Sequence, residues 1–332
     1  MSVLNITFLG SDELAKGIGK ASDKRDVESY VYKENNESGV KILSLVRPVS
    51  FPDKIKGLTS SLTLGDFVVL EVKNIDANLG ELLVACSSSG ISDGIIVLDN
   101  MGGNWVDLSQ LKTLVTQVGL ERWVIKEFDA LELRQYLLKI LDSKEDILIE
   151  RIKNPLVIAV DQYFNVKGVG LVVIGGVRSG VVNKHEQVKI LPSGGTGVVR
   201  SLQVMDDDVE QAKAGDRVGI ALRNADESSL SQGSLVVQIN DLDSVEVHRK
   251  TLLTFKPAAF ARYEPAENGI IHAAIDLQFV VGRIESVNSE NIIVVWETPL
   301  MIRKNSSARI LICQLDAKPR IIGYSNDYKL LE

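Results

Sequence analysis

The sequence predicts an α/β domain with a mostly parallel sheet, followed by two all-β domains that each close as a barrel. Three observations carry this reading. Over residues 1–142, short apolar runs alternate with longer amphipathic segments, the pattern of βαβ units. Beyond Asn154 the helical periodicity vanishes, and short strands follow one another across Gly, Asn and Ser turns, the pattern of a closed β-barrel. A turn-rich junction near Asn240–Ser244 then divides this all-β half in two. With 332 residues, 45% of them hydrophobic, each part is long enough to bury its own core. The expected boundaries are 1–148, 153–242 and 243–332.

In chain order, the strands of the first domain are NITFLG at 5–10, VKILSLV at 40–46, FVVLEV at 67–72, GIIVLD at 94–99 and RWVIKE at 122–127. The segments FPDKIKGLTSSL at 51–62 and DALELRQYLLKIL at 129–141 read as helical crossovers. Ligands of such sheets sit beyond the carboxyl ends of the strands. The loops after Phe8–Leu9, Leu45–Val46 and Val97–Leu98 are therefore the functional ones. A charged connector, Asp142–Asn154, leads to the strand–turn–strand units 168–182, 186–204 and 216–224 of the second domain. The third domain reads as strands within 251–263, 269–302 and 306–315.

No apolar run reaches the roughly 18 residues of a membrane helix, and the N-terminus enters a strand without a basic n-region. A cytoplasmic protein without membrane contact is expected. Residues 1–150 carry 16 Lys+Arg against 23 Asp+Glu, and residues 151–332 carry 21 of each. All the excess acid lies in the first domain, so no broad positive field steers DNA or RNA, and any RNA contact is local. Cys86 and Cys313 fit no metal or redox spacing and read as buried free thiols. His185, His248 and His272 are dispersed, and no Ser/His/Asp or paired-carboxylate grouping stands out, so neither a catalytic group nor a metal site is predicted.

The middle section carries Asp161 with Phe164, the run Lys167–Gly168–Val169–Gly170, then Gly175, Gly180, Val188 with Leu191–Pro192, Val199–Arg200–Ser201–Leu202–Gln203, and finally Ala212–Lys213–Ala214–Gly215–Asp216–Arg217–Val218–Gly219. Over about 80 residues, in order and spacing, this resembles the second domain of translational GTPases of the elongation factor Tu type. The resemblance is closer to the archaeal selenocysteine-specific elongation factor and its paralogues. It implies a P-loop-GTPase-like first domain and two β-barrels.

The nucleotide motifs of that family depart from pattern in this chain. A P-loop, GxxxxGK[ST], wraps phosphates with backbone N–H groups, bridges them with Lys and holds Mg²⁺ with a hydroxyl. Here the corresponding run is Gly10-Ser11-Asp12-Glu13-Leu14-Ala15-Lys16-Gly17. Gly10 and Lys16 remain, as vestiges of nucleotide binding, while Ala15 and Gly17 replace the second Gly and the Ser/Thr. The Asp-x-x-Gly-His of switch II aligns with Arg47-Pro48-Val49-Ser50-Phe51, and Asn-Lys-x-Asp with Asp99-Asn100-Met101-Gly102. Only about 30 residues separate Lys16 from Arg47, which leaves little room for a switch I loop. The expectation is that GTP hydrolysis is lost and that no cofactor is bound.

By the same resemblance, the aminoacyl end of tRNA lies in a cleft lined by residues 161–166 and 215–218. Phe164 corresponds to the aromatic beside the terminal adenine, a stacking role. Asp161 and Arg217 resemble the charged pair that favours an anionic aminoacyl group, and Gly168 supplies the tight turn beside them. The residues themselves leave two readings of each: Phe164 stacks on a base or fills the barrel, and Arg217 binds a ligand or forms an ion pair. The basic group Arg303, Lys304, Arg309, Lys318 and Arg320 reads as solvated surface, with RNA phosphate as the rival. Aminoacyl-tRNA, the ribosome or both are the expected partners. Two other readings stay open: an elongation factor with a rewritten pocket that takes GTP or GDP with Mg²⁺, and a scaffold that docks proteins rather than RNA.

Overall fold

The apolar run SVLNITFL forms β1 (Ser2–Leu9), and a computed structural model, which describes residues 2–24, 27–36, 39–99, 105–304 and 306–331, places it at the centre of a seven-stranded sheet. The chain continues through α1 (Asp12–Ile18), β2 (Lys20–Lys24), β3 (Val27–Asn36), β4 (Gly39–Pro48), α2 (Lys56–Leu64), β5 (Phe67–Val72), α3 (Ala77–Ser89) and β6 (Gly94–Leu98). It ends with α4 (Leu108–Gln117), β7 (Val124–Lys126), α5 (Ala130–Ser143) and α6 (Glu145–Ile152). Strands β4, β1, β5, β6 and β7 run parallel. Both faces are covered: Phe67 and Val69 of β5 join the core under α1 and α5, while Val68, Leu70 and Val72 join the core under α2, α3 and α4. Helix starts are fixed by Ser11, Asp76, Asp107 and Asp129, whose side chains accept backbone N–H groups of the first turn.

The sheet is mostly parallel, as expected, with an antiparallel addition at one edge. After Gly19 the chain returns directly as β2 and β3, which pair antiparallel with each other and with β4. An added Cβ at Gly19 would stand 2.8 Å from the Val31 carbonyl carbon, so only Gly lets the chain turn this closely. These two strands are rich in charged and polar residues and lack the apolar run that marks the others, which is why they are not legible as strands.

The second unit, the first of two all-β units, comprises β8 (Val157–Val166), β9 (Gly170–Ser179), β10 (Val181–Asn183), β11 (Gln187–Leu191), β12 (Gly195–Val204), β13 (Asp207–Val209), β14 (Gln211–Lys213), β15 (Arg217–Arg223) and β16 (Leu235–Gln238). The order β11-β16-β8-β9-β15-β12 returns to β11 through the β11–β12 pairing, closing the barrel. Along β9, buried and partly exposed residues alternate with period two, as a strand with one face on the core requires.

The third unit comprises β17 (Val245–Thr254), β18 (Lys256–Pro257), β19 (Ile270–Ile275), β20 (Gln278–Asn288), β21 (Asn291–Arg303), β22 (Ile310–Cys313), β23 (Ile321–Ser325) and β24 (Tyr328–Leu330). Only Phe255 separates β17, which lies between β21 and β24, from β18, which pairs with β23 at the far edge; among the described residues no pairing closes this sheet, so the third unit is a half-barrel where a closed barrel was expected. This unit packs on the first through a shared core: Ala258, Ala274, Leu311, Cys313 and Ile321 lie in one cluster with Leu58, Leu62, Leu83 and Cys86 of α2 and α3. Both cysteines are free and buried there, and burial pushes both thiols up, that of Cys313 to about 12.

Candidate functional site

The carboxyl ends of β1, β4 and β5 bound a crevice of about 430 Å³, lined by Gly10, Ser11, Arg47, Phe51, Glu71 and Lys73 among others. Two of the three loops expected from the sequence therefore meet. The third follows β6. There Asp99 pairs with Lys73 at 3.0 Å, while Asn100, Met101 and Gly102 lie outside the described residues.

Local geometry at the first loop is set by how soon the helix begins. Only Gly10 and Ser11 separate β1 from α1. Ser11 is the N-cap: its hydroxyl accepts from the Leu14 N–H at 3.3 Å, and its carbonyl accepts from the Ala15 N–H at 3.2 Å. Amides that a phosphate-wrapping loop would leave free are thus spent on the helix. Lys16 does not line the crevice; its ammonium bonds Asp12 Oδ2 at 2.6 Å one turn back, on the surface. That bond, with a second from the Tyr30 hydroxyl, holds the Asp12 carboxyl below the usual carboxylate range. Gly17 faces α5, where an added Cβ would stand 2.5 Å from Ala130 Cβ, so a Ser or Thr hydroxyl there would meet α5.

Arg47 reaches back into the loop. Its Nε donates to Gly10 O at 2.7 Å and its Nη1 to Glu28 Oε2 at 2.6 Å. Glu71, on β5, accepts from the Ser11 N–H and, at 3.0 Å, from the Ser11 hydroxyl. Neither Glu28 nor Glu71 belongs to a motif; Glu71 is marked in the sequence only as a carboxylate within the apolar run FVVLEV, and Glu28 carries no such mark.

In the second unit, Asp161 sits at a bulge of β8 and pairs with Arg217 at the start of β15, Arg217 Nη2 donating to Asp161 Oδ2 at 2.6 Å. Of the two readings of Arg217, the ion pair is present. Arg217 also lines a seam of only about 10 Å³ between the first unit and the barrel, with Asn5, Ser44 and Gly215. Tyr163 packs on the barrel core, and Phe164, the next residue of the alternation, lies partly buried opposite Val172 on the outer face. Gly168 turns the β8–β9 hairpin with φ +83°, and its carbonyl is held by Arg200.

Next to Arg217, Asp216 is buried with one oxygen, Oδ2, accepting from the Lys213 N–H at 2.8 Å and the other without a partner among the described residues. Burial pushes its carboxyl up to about 6. A folded-state value above the unfolded one of about 3.9 means the contribution to stability is complete below about pH 4 and lost as pH rises through about 6. Asp216→Asn keeps an acceptor for Lys213 and removes the charge. In urea unfolding it is expected to be more stable than the parent at pH 8 by on the order of 2 kcal/mol, with little difference near pH 4. A variant less stable at pH 8 would contradict this origin.

Of the basic group in the third unit, Lys304 and Lys318 are exposed, as solvated surface requires, whereas Arg309 and Arg320 are committed to the junction with the first unit and Arg303 to Asp276. Arg320 binds Glu81 of α3 through Nε at 2.8 Å and Nη2 at 2.9 Å. Arg309 donates to the Ser87 and Ser88 carbonyls at the end of α3 and stacks 4.0 Å from the Tyr324 ring. Arg303 and Arg178, the latter from the barrel, grip the Asp276 carboxylate, and Arg178 also donates to the Leu64 carbonyl at the end of α2. Arginines thus satisfy the orphan carbonyls at two helix ends while joining the units. A cavity of about 450 Å³ remains where all three meet.

Comparison with known proteins agrees with this architecture. The sequence profile of elongation factor Tu domain 2 matches residues 170–237. Uncharacterized protein MJ0325 of Methanocaldococcus jannaschii is 30% identical over 331 residues, covering 97% of this chain and 99% of that one. The selenocysteine-specific elongation factor of the same organism is 29% identical over 206 residues, 60% of this chain and 42% of that factor. The chain belongs to the translational GTPase family of elongation factor Tu type. This elongation-factor-like chain superposes on the elongation factor SelB of Methanococcus maripaludis, solved with the GTP analogue GppNHp, with a TM-score of 0.77 at 20% identity, covering 100% of this chain and 78% of that one. A bacterial selenocysteine-specific elongation factor gives 0.78 at 19% identity, with 98% and 57% covered. Among the described residues, no helix is long and apolar enough to cross a membrane.

Proposed function

We propose that this elongation-factor-like protein binds aminoacyl-tRNA, on or off the ribosome, through its two all-β units and without a GTP switch. The observation that carries the reading is the two-residue link between β1 and α1, in which the Ser11 N–H is committed to Glu71 while the Leu14 and Ala15 N–H groups are committed to Ser11. The residues of the crevice do not fit Mg²⁺·GTP. Lys16 points to Asp12, Gly17 has no hydroxyl and faces α5, and Arg47 stands where the family places the metal-linked Asp. A triphosphate would also meet the Glu71 carboxylate, with side-chain exposure of only 7%, at close range. No hydrolytic step follows from such a set.

What remains for RNA is local. Phe164, partly buried on the outer face of the barrel, offers an aromatic edge, and Asp161, paired with Arg217, stands at the bulge earlier on the same strand. Gel shift with aminoacylated and deacylated tRNA tests the proposal. A shift at micromolar protein without nucleotide, unchanged by GTP, is expected; no shift with either RNA would reject it. The open volume of the crevice favours one rival, a rewritten pocket that takes GDP or GTP. Calorimetry separates the two.

A further inference from the structure

One peptide unit, that joining Gly10 to Ser11, is gripped at both ends by charges of the chain itself. Its N–H donates to the Glu71 carboxylate, whose other oxygen takes the Ser11 hydroxyl at 3.0 Å. Its carbonyl accepts from Arg47 Nε at 2.7 Å. A peptide unit carries a dipole of about 3.5 D with its positive end at the N–H. An anion at that end and a cation at the other are each in the favourable place, and together they oppose rotation of the peptide plane.

Each gripping charge is itself held. Arg47 Nη1 bonds Glu28, which takes the Tyr30 hydroxyl at 2.9 Å, and the same hydroxyl reaches Asp12 in the first turn of α1. Lys73 stands 3.9 Å from Glu71 and 3.0 Å from Asp99, so the anion is tied onward to the loop after β6. The packing leaves no slack either, since a Cβ on Gly10 would lie 2.9 Å from Glu71 Cβ and 3.0 Å from the Phe8 ring. Gly10 is therefore required by Glu71, independently of any nucleotide.

We propose that this loop is self-liganded: Glu71 takes the place of a ligand's phosphate on the Ser11 N–H and hydroxyl, Arg47 takes the place of its counter-cation, and the first domain is locked in one state. The proposal deepens the reading of a lost GTP switch and rests on it. A loop already holding its own anion and cation has no second arrangement for a nucleotide to select, and a ligand shifts an equilibrium only by its differential affinity for two states.

Hydrogen exchange on the full-length protein without RNA tests this. In Glu71→Ala, the peptide covering residues 8–14 is expected to exchange about tenfold faster than in the parent. Glu71→Gln, which keeps an acceptor, should restore most of the protection, and Lys16→Ala, which breaks only the surface pair with Asp12, should leave it unchanged. If Glu71→Ala does not fold, Arg47→Gln is read the same way at the carbonyl end. Unchanged exchange in the variants, or added protection of the parent's loop by Mg²⁺·GTP, would overturn the proposal. Because no RNA is present, failure to bind tRNA would sink the functional reading and leave this one standing; faster exchange without an effect of GTP supports it whatever the RNA result.

Discussion

Asp276→Ala is expected to destabilise the protein by about 3–5 kcal/mol, the largest loss of any single substitution considered, because it strands two largely buried arginines. Asp276 is 1% exposed and takes Arg178 Nε at 2.9 Å and Arg303 Nε at 2.7 Å. Burial alone would raise its carboxyl, but Arg303 and Arg178 outweigh it and hold the group below the usual range. The residue sits with Leu277 in a two-residue hairpin whose φ angles are +44° and +65°. Leucine in that region costs on the order of 1–2 kcal/mol, so the turn persists only because its surroundings hold it. Those surroundings are Leu64, Leu235 and Met301, packed with Leu277 in one cluster, and Thr63, whose hydroxyl accepts from the Leu277 N–H at 3.3 Å. One hairpin tip thereby joins all three units. Asp276→Asn separates charge from packing. A folded-state value below the unfolded one makes the charge's contribution complete above about pH 4 and lost as pH falls through the folded value. The gap in urea midpoint between parent and Asp276→Asn should therefore be constant from pH 6 to 8 and narrow in acid; a gap that persists undiminished below pH 3 would assign it to packing.

Phe164→Ala is expected to weaken aminoacyl-tRNA binding by roughly 10- to 100-fold while leaving stability nearly unchanged, the range for losing one aromatic–base stack. The barrel core takes its neighbour Tyr163 instead, so truncating Phe164 opens no cavity in that core. Phe164→Tyr preserves the ring and should preserve affinity. Fluorescence anisotropy with a labelled aminoacyl-tRNA, beside a urea melt of each variant, reads the two effects apart. Equal affinity of Phe164→Ala and parent would remove Phe164 from the interface, and a large loss of stability would return it to the fold.

The frame was legible in the sequence wherever periodicity was strong. Apolar runs such as FVVLEV and GIIVL announce strands buried on both faces, and the spaced glycines of the barrel announce its turns, Gly215 at φ +96° among them. The hairpin β2–β3 was not legible, because its buried residues include Glu28 and Ser29, polar groups satisfied or enclosed only in three dimensions. The same holds for the crevice. Motif comparison finds what is missing at Ala15, Gly17 and Arg47, yet it cannot find what fills the space, since Glu71 lies 60 residues from Ser11 and meets it only through the pairing of β1 with β5. Likewise Arg309 and Arg320 look like surface charges until α3 is docked against them.

Calorimetric titration of the 332-residue chain with GTP, GDP and ATP in the presence of Mg²⁺ shows whether the first domain works without a nucleotide. No heat of binding and no thermal shift is expected with any of the three at millimolar ligand. Saturable binding of GTP or GDP at micromolar concentration, with the stabilisation that such binding entails, would contradict it.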